Sequence, residues 1–311
     1  MATTKEIKDR IGSVKNTQKI TNAMYLISST KMRKAKADLD KTRPYFHLIE
    51  EEIKRIFQNV GDVNSHYFYP ETGRKEGEKY AYLIITADKG LAGAYNYNIL
   101  HEAEMALQKH KNVELFVVGE YGRHYFQKHN IPITQSFLYT AQNPTFNRAR
   151  EITARLLEEY NERRVDEIRV IYSDMENELV SAVHTEQLLP FKRKQFVEDD
   201  DEFMLSRTNL QRKDAGDYEF YPSVNDVLHH LIPSYVAGFV YGALVDSFSA
   251  EQNARMNAMS SANKNAEELL SELSAQYNRV RQAAITQEIT EVAAGAKAEK
   301  KKKLREAAGL E

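Results

Sequence analysis

The 311-residue chain contains no cysteine and no tryptophan, and it has only 7 prolines and 13 glycines. The lack of cysteine excludes disulfides, thiol catalysis and metal sites built on thiolates. The formal net charge is only −2, which argues against a general nucleic-acid-binding protein. Hydrophobic residues make up 42% of the chain, enough for one large or two modest domains with their own cores.

Long hydrophobic runs are also missing. The first ten residues include acidic side chains, and no apolar core of a secretory signal follows them, so neither a secretory signal nor an organellar transit peptide fits. The longest nearly uncharged apolar stretch, Leu231–Leu244, contains Pro233 and Gly238 and is too short to span a bilayer. We therefore expect a soluble protein, on the inner side of a membrane at most.

Proline and glycine are absent from two long segments, residues 13–43 and residues 243–294. The second segment has 52 residues, whereas an average globular helix has about 11–12. Its apolar residues follow steps of three and four, the 3.5-residue period of a left-handed coiled coil, with one gap at Gln276. The residues of this seam are Met259, Ala262, Ala266, Leu269, Leu273, Val280 and Ala284.

The N-terminal segment carries a weaker version of the same pattern. One stripe is Ile7, Ile11 and Val14, and a second, on a shifted face, is Ile20, Met24 and Ile27. Gln18, Thr21 and Ser28 interrupt them, which predicts a partly polar seam.

The two ends of the chain are predicted to pair with each other, because the C-terminal helix has no other long helix as a partner. The pair is expected to be antiparallel. The N-terminal helix, about Thr4–Asn59 with a bend near Pro44, covers only part of a helix from Ser234 to Ala294, which would span roughly 90 Å. One end of the C-terminal helix should therefore protrude alone.

The middle of the chain alternates between buried strands and helices, the pattern of a parallel sheet with helices on its faces. The strands are Tyr80–Ala87, Val113–Gly119 and Glu167–Ser173, with Ala182–Phe191 as a further candidate. The helices are Tyr95–Lys109 and Asn147–Arg163. Residues 1–60 carry a net charge of +6 and residues 61–250 one of −9, which also separates the ends from the middle.

The predicted fold class is therefore α/β plus a long α-helical coiled coil. Specifically, we predict an antiparallel coiled coil of the N- and C-terminal helices, with an inserted doubly wound α/β domain. The predicted parts are an N-terminal helix at 1–60, a Rossmann-like α/β domain at 78–195, a linker loop at 196–222, a C-terminal helix at 223–295 and a basic tail at 296–311.

Four candidate chemical sites each have a simpler explanation. The loop Ala87–Gly93 follows a strand and precedes a helix, where a phosphate could bind, but its G-x-x-G spacing also suits a tight turn. The adjacent His229 and His230 point about 100° apart on a helix and do not form one ligand face. The acidic run Glu198–Glu202 is typical of a solvated loop. The run Lys300–Lys303 is typical of a disordered basic tail.

The segment Arg279–Glu288 is polar around most of its circumference, and a wet helix surface is the simplest interpretation. However, a helix that protrudes beyond its partner must bury its remaining apolar residues elsewhere. Such a helix suggests insertion into a cavity of another protein. The apolar residues in question are Ala283, Ala284, Ile285, Ile289, Val292 and Ala293.

Three motifs resemble the γ subunits of F-type ATP synthases. The N-terminal stretch Thr3–Arg33 contains IKDRI from Ile7 and VKNTQKITNAM up to Met24. The C-terminal stretches are EQNARM, residues 251–256, and YNRVRQAAITQEI, residues 277–289. The loop DKGLAG, residues 88–93, is similar to the family's central loop. The resemblance covers nearly the whole chain in the same order.

The resemblance implies a central-stalk rotor subunit of a proton-translocating ATP synthase, with no active site, cofactor, metal or small-molecule substrate of its own. The implied partners are the α and β subunits of the catalytic hexamer, the ε subunit and the membrane c-ring, but no nucleic acid. The implied place is the cytoplasmic face of the bacterial cell membrane, as a peripheral protein. By resemblance, the residues that contact β are Met24, Arg255, Arg281, Gln282, Thr286 and Glu288.

Two alternatives remain open from the residues alone. One is a nucleotide-binding Rossmann-like enzyme with a helical dimerisation hairpin, which would bind nucleotide stoichiometrically through residues 78–195. The other is a helical nucleic-acid binder that uses the basic N-terminal segment and whose binding would depend steeply on salt.

Overall fold

The structure is a computed structural model that describes residues 3–59, 65–68, 79–137, 141–175, 181–191 and 220–307. The chain divides into two compact units, one of residues 27–258 and the other of residues 1–26 and 259–311. Two long helices, α1 (Thr4–Asn59) and α5 (Val224–Ala307), contribute residues to both units.

The unit of residues 27–258 contains a five-stranded sheet of order β3-β2-β1-β4-β5. Its strands are β1 (Tyr80–Ile85), β2 (Val113–Val118), β3 (Gln135–Phe137), β4 (Glu167–Met175) and β5 (Ser181–Leu189). The connecting helices are α2 (Tyr95–Lys109), α3 (Glu120–Lys128) and α4 (Phe146–Asn161). The short elements α3 and β3 were not predicted, because nine and three residues are too few for a clear periodic pattern.

Successive side chains of β1 lie on opposite faces of the sheet, because side chains alternate along a strand. Tyr82 and Ile84 pack in one cluster with residues of α2 and α3. Leu83 and Ile85 pack in the other cluster with residues of α4 and of the two long helices. Helices therefore cover both faces of the sheet, which confirms the predicted doubly wound arrangement.

The predicted parallel sheet is present in β1 to β4, and the further strand, whose direction was not predicted, is antiparallel. β1 pairs in parallel with β2 and β4, and β2 pairs in parallel with β3. β5 pairs antiparallel with β4, from Met175 opposite Ser181 to Ile168 opposite Leu189. Only five residues separate the two strands, and a parallel return needs a crossover of about a dozen, so the sheet is mixed.

The core of this unit extends beyond residues 78–195, the predicted limits of the α/β domain. Ile53 of α1 and Val236 of α5 are both fully buried in the cluster that contains Leu83. Each long helix therefore has a segment that belongs to the sheet core. α1 continues through Pro44 without interruption, and the bend near this residue stays a prediction.

This buried packing also explains the most apolar part of α5. By length and composition alone, α5 could cross a membrane, in contrast to the sequence-based expectation. However, 61% of its apolar window is buried inside the protein. A core helix of a soluble domain meets the same criterion, so burial against the sheet accounts for the apolar run.

Both long helices begin with a side-chain cap, in which a hydroxyl accepts the amide of an acidic residue three positions later, and at α1 the bond is reciprocal, as in a capping box. At α1, the Thr3 amide donates to Glu6 Oε2 at 2.8 Å and the Glu6 amide donates to Thr3 Oγ1 at 3.3 Å. At α5, the Asp226 amide donates to Ser223 Oγ at 3.2 Å. These caps define where each helix starts.

In the unit of residues 1–26 and 259–311, the two helices are antiparallel, as predicted. Gln18 Nε2 donates to Glu267 Oε1 at 3.3 Å, and the Thr21 hydroxyl lies against Asn263 Oδ1. Thus the polar residues that interrupt the N-terminal stripe bond across the seam. Among the described residues of this unit, the buried apolar ones are Ile7, Met259 and Leu273.

The same register places Thr4, the first residue of α1, opposite the turn around Val280. From Arg281 to Lys301 every residue of α5 is exposed, which confirms that one end of the helix extends beyond its partner. Ala284, the last residue of the predicted seam, is exposed for this reason. The helix continues through Gly295 to Ala307, beyond residue 295, where the predicted C-terminal helix ended and the basic tail began.

Candidate functional site

Four of the six predicted contact residues lie on the exposed segment of α5, defined here as residues 281–301. They are Arg281, Gln282, Thr286 and Glu288, and all four are exposed. The Thr286 hydroxyl donates to the backbone carbonyl of Gln282 at 2.9 Å, a bond within the helix that fixes its rotamer. The other polar groups of this set point into solvent and are available to another protein.

An apolar stripe runs along the same exposed segment. Ile285, Ile289 and Val292 follow steps of four and three, so they lie on one face of the helix. Their exposed fractions are 46%, 64% and 73%. Three large aliphatic side chains in one row are not covered by the described part of the chain. Together with the polar residues around them, they form a surface suited to a partly apolar cavity in another protein.

Met24 lies far from this segment within the same unit. The pairing of Thr21 with Asn263 places Met24 opposite the residues around 260, about 20 residues before Arg281 on α5. At 1.5 Å per residue that is about 30 Å along the helix. Met24 is half-buried. The predicted contacts of Met24 and Arg281 therefore belong to two separate zones and not to one site.

Arg255 belongs to the other unit and is only 8% exposed. Its Nη2 donates to the carbonyl oxygen of Gly90 at 3.1 Å and forms an ion pair with Glu251 Oε1 at 2.6 Å. The structure thus gives Arg255 an intramolecular role that its resemblance-based assignment did not include. A contact of this side chain with another subunit stays a prediction.

A run of buried polar residues marks the part of α5 that contains Arg255. All of these residues are at most 8% exposed: Ser247, Ser249, Glu251, Gln252, Asn253 and Arg255. Ser247 Oγ accepts a hydrogen bond from the backbone amide of Ser173 in β4 at 3.1 Å. Ala250 and Ala254 on the same helix belong to the cluster that contains Ile84 and Ala87. This polar stretch of α5 therefore lies at the carboxyl end of the central strands.

The loop after β1, residues 87–93, is occupied by protein groups where a doubly wound domain could bind a phosphate. Asn96 Oδ1 accepts the Ala87 amide at 3.0 Å, and Arg255 binds the Gly90 carbonyl. A Cβ on Gly93 would lie 3.9 Å from the carbonyl oxygen of Ala254, so α5 lies directly beside the loop.

The carboxyl group of Asp88 in this loop also disfavours an anion. Asp88 Oδ1 accepts the backbone amide of Glu120 at 3.1 Å. Burial raises the pKa of Asp88, and the amide bond partly opposes this. A carboxylate at this place would repel a phosphate. The glycines therefore serve a turn against α5, and the nucleotide-binding interpretation has no support.

The other candidate sites provide no chemistry among the described residues. The rings of His229 and His230 lie 6.1 Å apart at 64° to each other, and no group of three or more potential metal ligands occurs in the described part of the chain. The Lys300–Lys303 run is helical, with an ion pair of 3.0 Å between Lys303 and Glu299. The acidic run Glu198–Glu202 lies outside the described residues.

The carboxyl group of Asp246 on α5 makes the stability of the sheet-containing unit depend on pH. Burial, and then the nearby charge of Asp174, raises its pKa to about 6, while Arg43 and Lys36 of α1 oppose the shift. Because the raised pKa penalises the charged carboxylate in the folded state, this residue's contribution to stability declines as pH rises from about 4 to 6.

We expect Asp246→Asn to raise the free energy of unfolding at pH 7.5 by about 2 kcal/mol and to have little effect at pH 4. Urea unfolding of the full chain at both pH values measures the difference. Equal effects at the two pH values would contradict the assigned burial of the carboxylate.

Exposed apolar residues on α1 were the part of the surface least well interpreted from the sequence. Ile20, Leu26 and Ile27 are 62%, 58% and 55% exposed. The second stripe that contains Ile20 and Ile27 therefore does not face the helix seam. The sequence already indicated this, because the stripe lies on a different face of the helix from Gln18 and Thr21, which do lie in the seam.

The fold and these surfaces indicate a class of protein that works through the contacts of long helices with other proteins. The family model described as ATP synthase matches residues 3–298. The chain is 42% identical over 301 residues to an ATP synthase gamma chain of Ruminiclostridium cellulolyticum, which covers 94% of this chain and 98% of the relative. The chain belongs to the ATP synthase γ chain family.

A second relative, from Acetobacterium woodii, is named ATP synthase gamma chain, sodium ion specific, and is 36% identical over 298 residues, 94% of this chain and 97% of the relative.

Two solved structures have a similar fold at low sequence identity. A chain of the Euglena gracilis mitochondrial ATP synthase, in a structure of OSCP, F1 and c-ring, has a TM-score of 0.62 at 16% identity and covers 99% of this chain and 96% of its own. A chain from the Tetrahymena thermophila central stalk and c-ring has a TM-score of 0.54 at 23% identity, covering 78% and 99%.

As a member of this family, the chain is the central-stalk rotor subunit of an ATP synthase and not a catalytic subunit. It is a component of a membrane-associated complex. Membership of this family accounts for the long exposed helix surface of α5.

Proposed function

We propose that this subunit transmits torque between the membrane c-ring and the catalytic hexamer of α and β subunits through the exposed segment of α5. The observation that carries the proposal is the exposure of every residue from Arg281 to Lys301, with an apolar row of Ile285, Ile289 and Val292. A sleeve of other subunits would cover this row and exclude water from it.

The polar residues of the segment suit a contact that must change during rotation. Arg281 is proposed to form charge-assisted hydrogen bonds with carboxylates of the β subunit, and such bonds can be made and broken as the subunit turns. Gln282, Thr286 and Glu288 add hydrogen-bonding groups on the same segment. Met24 is proposed to contact β in a second zone, where its flexible side chain can repack.

The remaining partners and the location follow from the resemblance and are proposed with it. The sheet-containing unit would bind the ε subunit and the c-ring, on the cytoplasmic face of a bacterial membrane. Proton coupling is likewise a proposal, since the relative from Acetobacterium woodii carries the name sodium ion specific.

The polar contacts can be tested with the double variant Arg281→Ala, Gln282→Ala in a complex reconstituted with α, β and the membrane sector. The apolar row remains, so the subunits should still assemble. We expect ATP-driven ion pumping to fall about tenfold, because a hydrogen bond to a charged group contributes about 1.5–3 kcal/mol.

Gln287→Ala is the matched control, since Gln287 already bonds Glu291 on its own helix at 2.8 Å and is not a predicted contact. Pumping at the wild-type rate in the double variant would contradict the proposed contacts of Arg281 and Gln282 with the β subunit.

A further inference from the structure

Arg255 connects two distant parts of the chain within the unit of residues 27–258. Its guanidinium binds Glu251 one helical turn earlier and the carbonyl oxygen of Gly90 in the loop after β1. The side chains of Arg255 and Glu251 are only 10% and 6% exposed. Because a guanidinium carries several donors in a fixed plane, one side chain can hold both partners in a single orientation.

This buried ion pair contributes little to stability, but it fixes the orientation of α5. Burial raises the pKa of Glu251, and the charge of Arg255 opposes the rise. The cost of removing both charges from water offsets much of their attraction, so an apolar pair would stabilise the fold as well or better. An apolar pair would not fix the rotation of α5 about its axis relative to a particular carbonyl group.

The loop that receives Arg255 is itself held at both ends. Asn96 binds the Ala87 amide, and the Tyr95 amide donates to the Ala92 carbonyl at 3.1 Å. Leu91 has a φ of +64°, a conformation that an L-residue adopts only when its surroundings fix it. The bond from Arg255 to Gly90 thus reaches a loop that is already well defined and cannot simply follow a moving helix.

The position of Arg255 along α5 gives this bond its significance. The unit of residues 27–258 ends three residues later, at Ala258. Arg255 is the last residue of α5 for which a side-chain bond to the sheet-containing unit is found among the described residues.

We propose that Glu251 and Arg255 are positioning residues that clamp α5 to the loop of residues 88–93, so that a twist of α5 is delivered to the sheet. The inference rests on the proposed torque function, because a clamp against rotation has a purpose only in a helix that carries torque.

The first test is hydrogen exchange in the isolated full-length chain. Arg255→Lys keeps the charge but replaces the planar fork with a compact ammonium group whose donors rotate, so it does not fix both partners in one orientation. We expect the amides of Ala87 and Tyr95, at the two ends of the loop, to exchange about tenfold faster. Protection in β2 should be unchanged, which shows that the fold remains intact. If these two amides exchange at the wild-type rate in the variant, the proposed clamp is overturned.

Arg155→Lys is the matched control. Arg155 pairs with Glu158 on α4 at 2.9 Å, and its side chain is 55% exposed. The substitution is the same, but the pair does not connect two elements. Equal acceleration of the loop in both variants would show a general effect of the substitution and overturn the proposal.

The second test measures ions pumped per ATP hydrolysed in the reconstituted complex with Arg255→Lys and, separately, Glu251→Gln. We expect ATP hydrolysis to continue and the pumping ratio to fall at least twofold in both. Faster exchange of the loop amides with a wild-type pumping ratio would contradict transmission through the clamp. A lower pumping ratio with wild-type exchange of the loop amides would indicate contact with another subunit, and it would overturn the clamp but not the torque function. A wild-type complex that hydrolyses ATP without pumping would contradict the torque function itself.

Discussion

Ile289→Asp is expected to reduce ATP-driven ion pumping of the assembled complex by at least tenfold. Ile289 is 64% exposed at the centre of the apolar row. If other subunits cover this row, burying the isoleucine contributes about 1.5–3 kcal/mol. A carboxylate at the same place adds the cost of burying an unpaired charge. The measurement is the pumping rate of reconstituted vesicles, with co-purification of the α and β subunits recorded for the same preparations.

Gln287→Asp introduces the same charge two residues earlier. The two positions are about 200° apart around the helix, so the control lies on the opposite, polar side. It should pump at close to the wild-type rate. If both substitutions have equal effects, the apolar row is not the buried face. If neither has an effect, the exposed segment is not inserted into an apolar cavity.

Gly119→Ala should destabilise the sheet-containing unit by about 3 kcal/mol or more. Gly119 lies between β2 and α3 with a φ of +95°. A Cβ there would lie 2.3 Å from the carbonyl oxygen of Thr86 and 2.8 Å from that of Ala87. Both atoms belong to the backbone at the end of the central strand, so relief would require the strand to move.

Gly90→Ala is the matched control for this substitution. A Cβ at Gly90 meets nothing within 4 Å, so the unfolding free energy should change by less than about 1 kcal/mol. Urea unfolding followed by the far-ultraviolet signal, with hydrogen exchange of β1 and β2, measures both variants. A loss of stability at position 90 as large as at position 119 would contradict the assigned loop geometry.

The coiled-coil pattern was the most informative part of the sequence. The steps of three and four from Met259 to Leu273 predicted the seam, and Gln18 and Thr21 predicted its polar interruptions. These features are local and periodic, so they can be found without tertiary information. The strands β1, β2 and β4 were found for a similar reason, because a short run of β-branched residues between turn signals is typical of a buried strand.

The features that were not predicted depend on distant residues or on weak local signals. The direction of β5 follows from a five-residue connection, and an argument from the length of that connection could have decided it. The helix beyond Gly295 has little to stop it, since one glycine costs only about 1 kcal/mol. The bond from Arg255 to Gly90 joins positions 165 residues apart, and no periodicity could have indicated it.

Resemblance and structure contributed different information about the candidate site. The resemblance implied that Arg255 and Arg281 have the same kind of role. In the structure Arg281 is exposed and Arg255 is 8% exposed with two internal bonds. Burial therefore separates a surface contact from an internal positioning group.

The central claim is that this chain turns inside the catalytic subunits, and single-molecule rotation tests it most directly. The chain contains no cysteine, so Lys111→Cys would provide the only thiol in this subunit, at an exposed position, for attachment of a probe. With the α and β subunits fixed to a surface, addition of ATP should turn the probe continuously in one direction. A probe that stays still while the complex hydrolyses ATP would contradict the account.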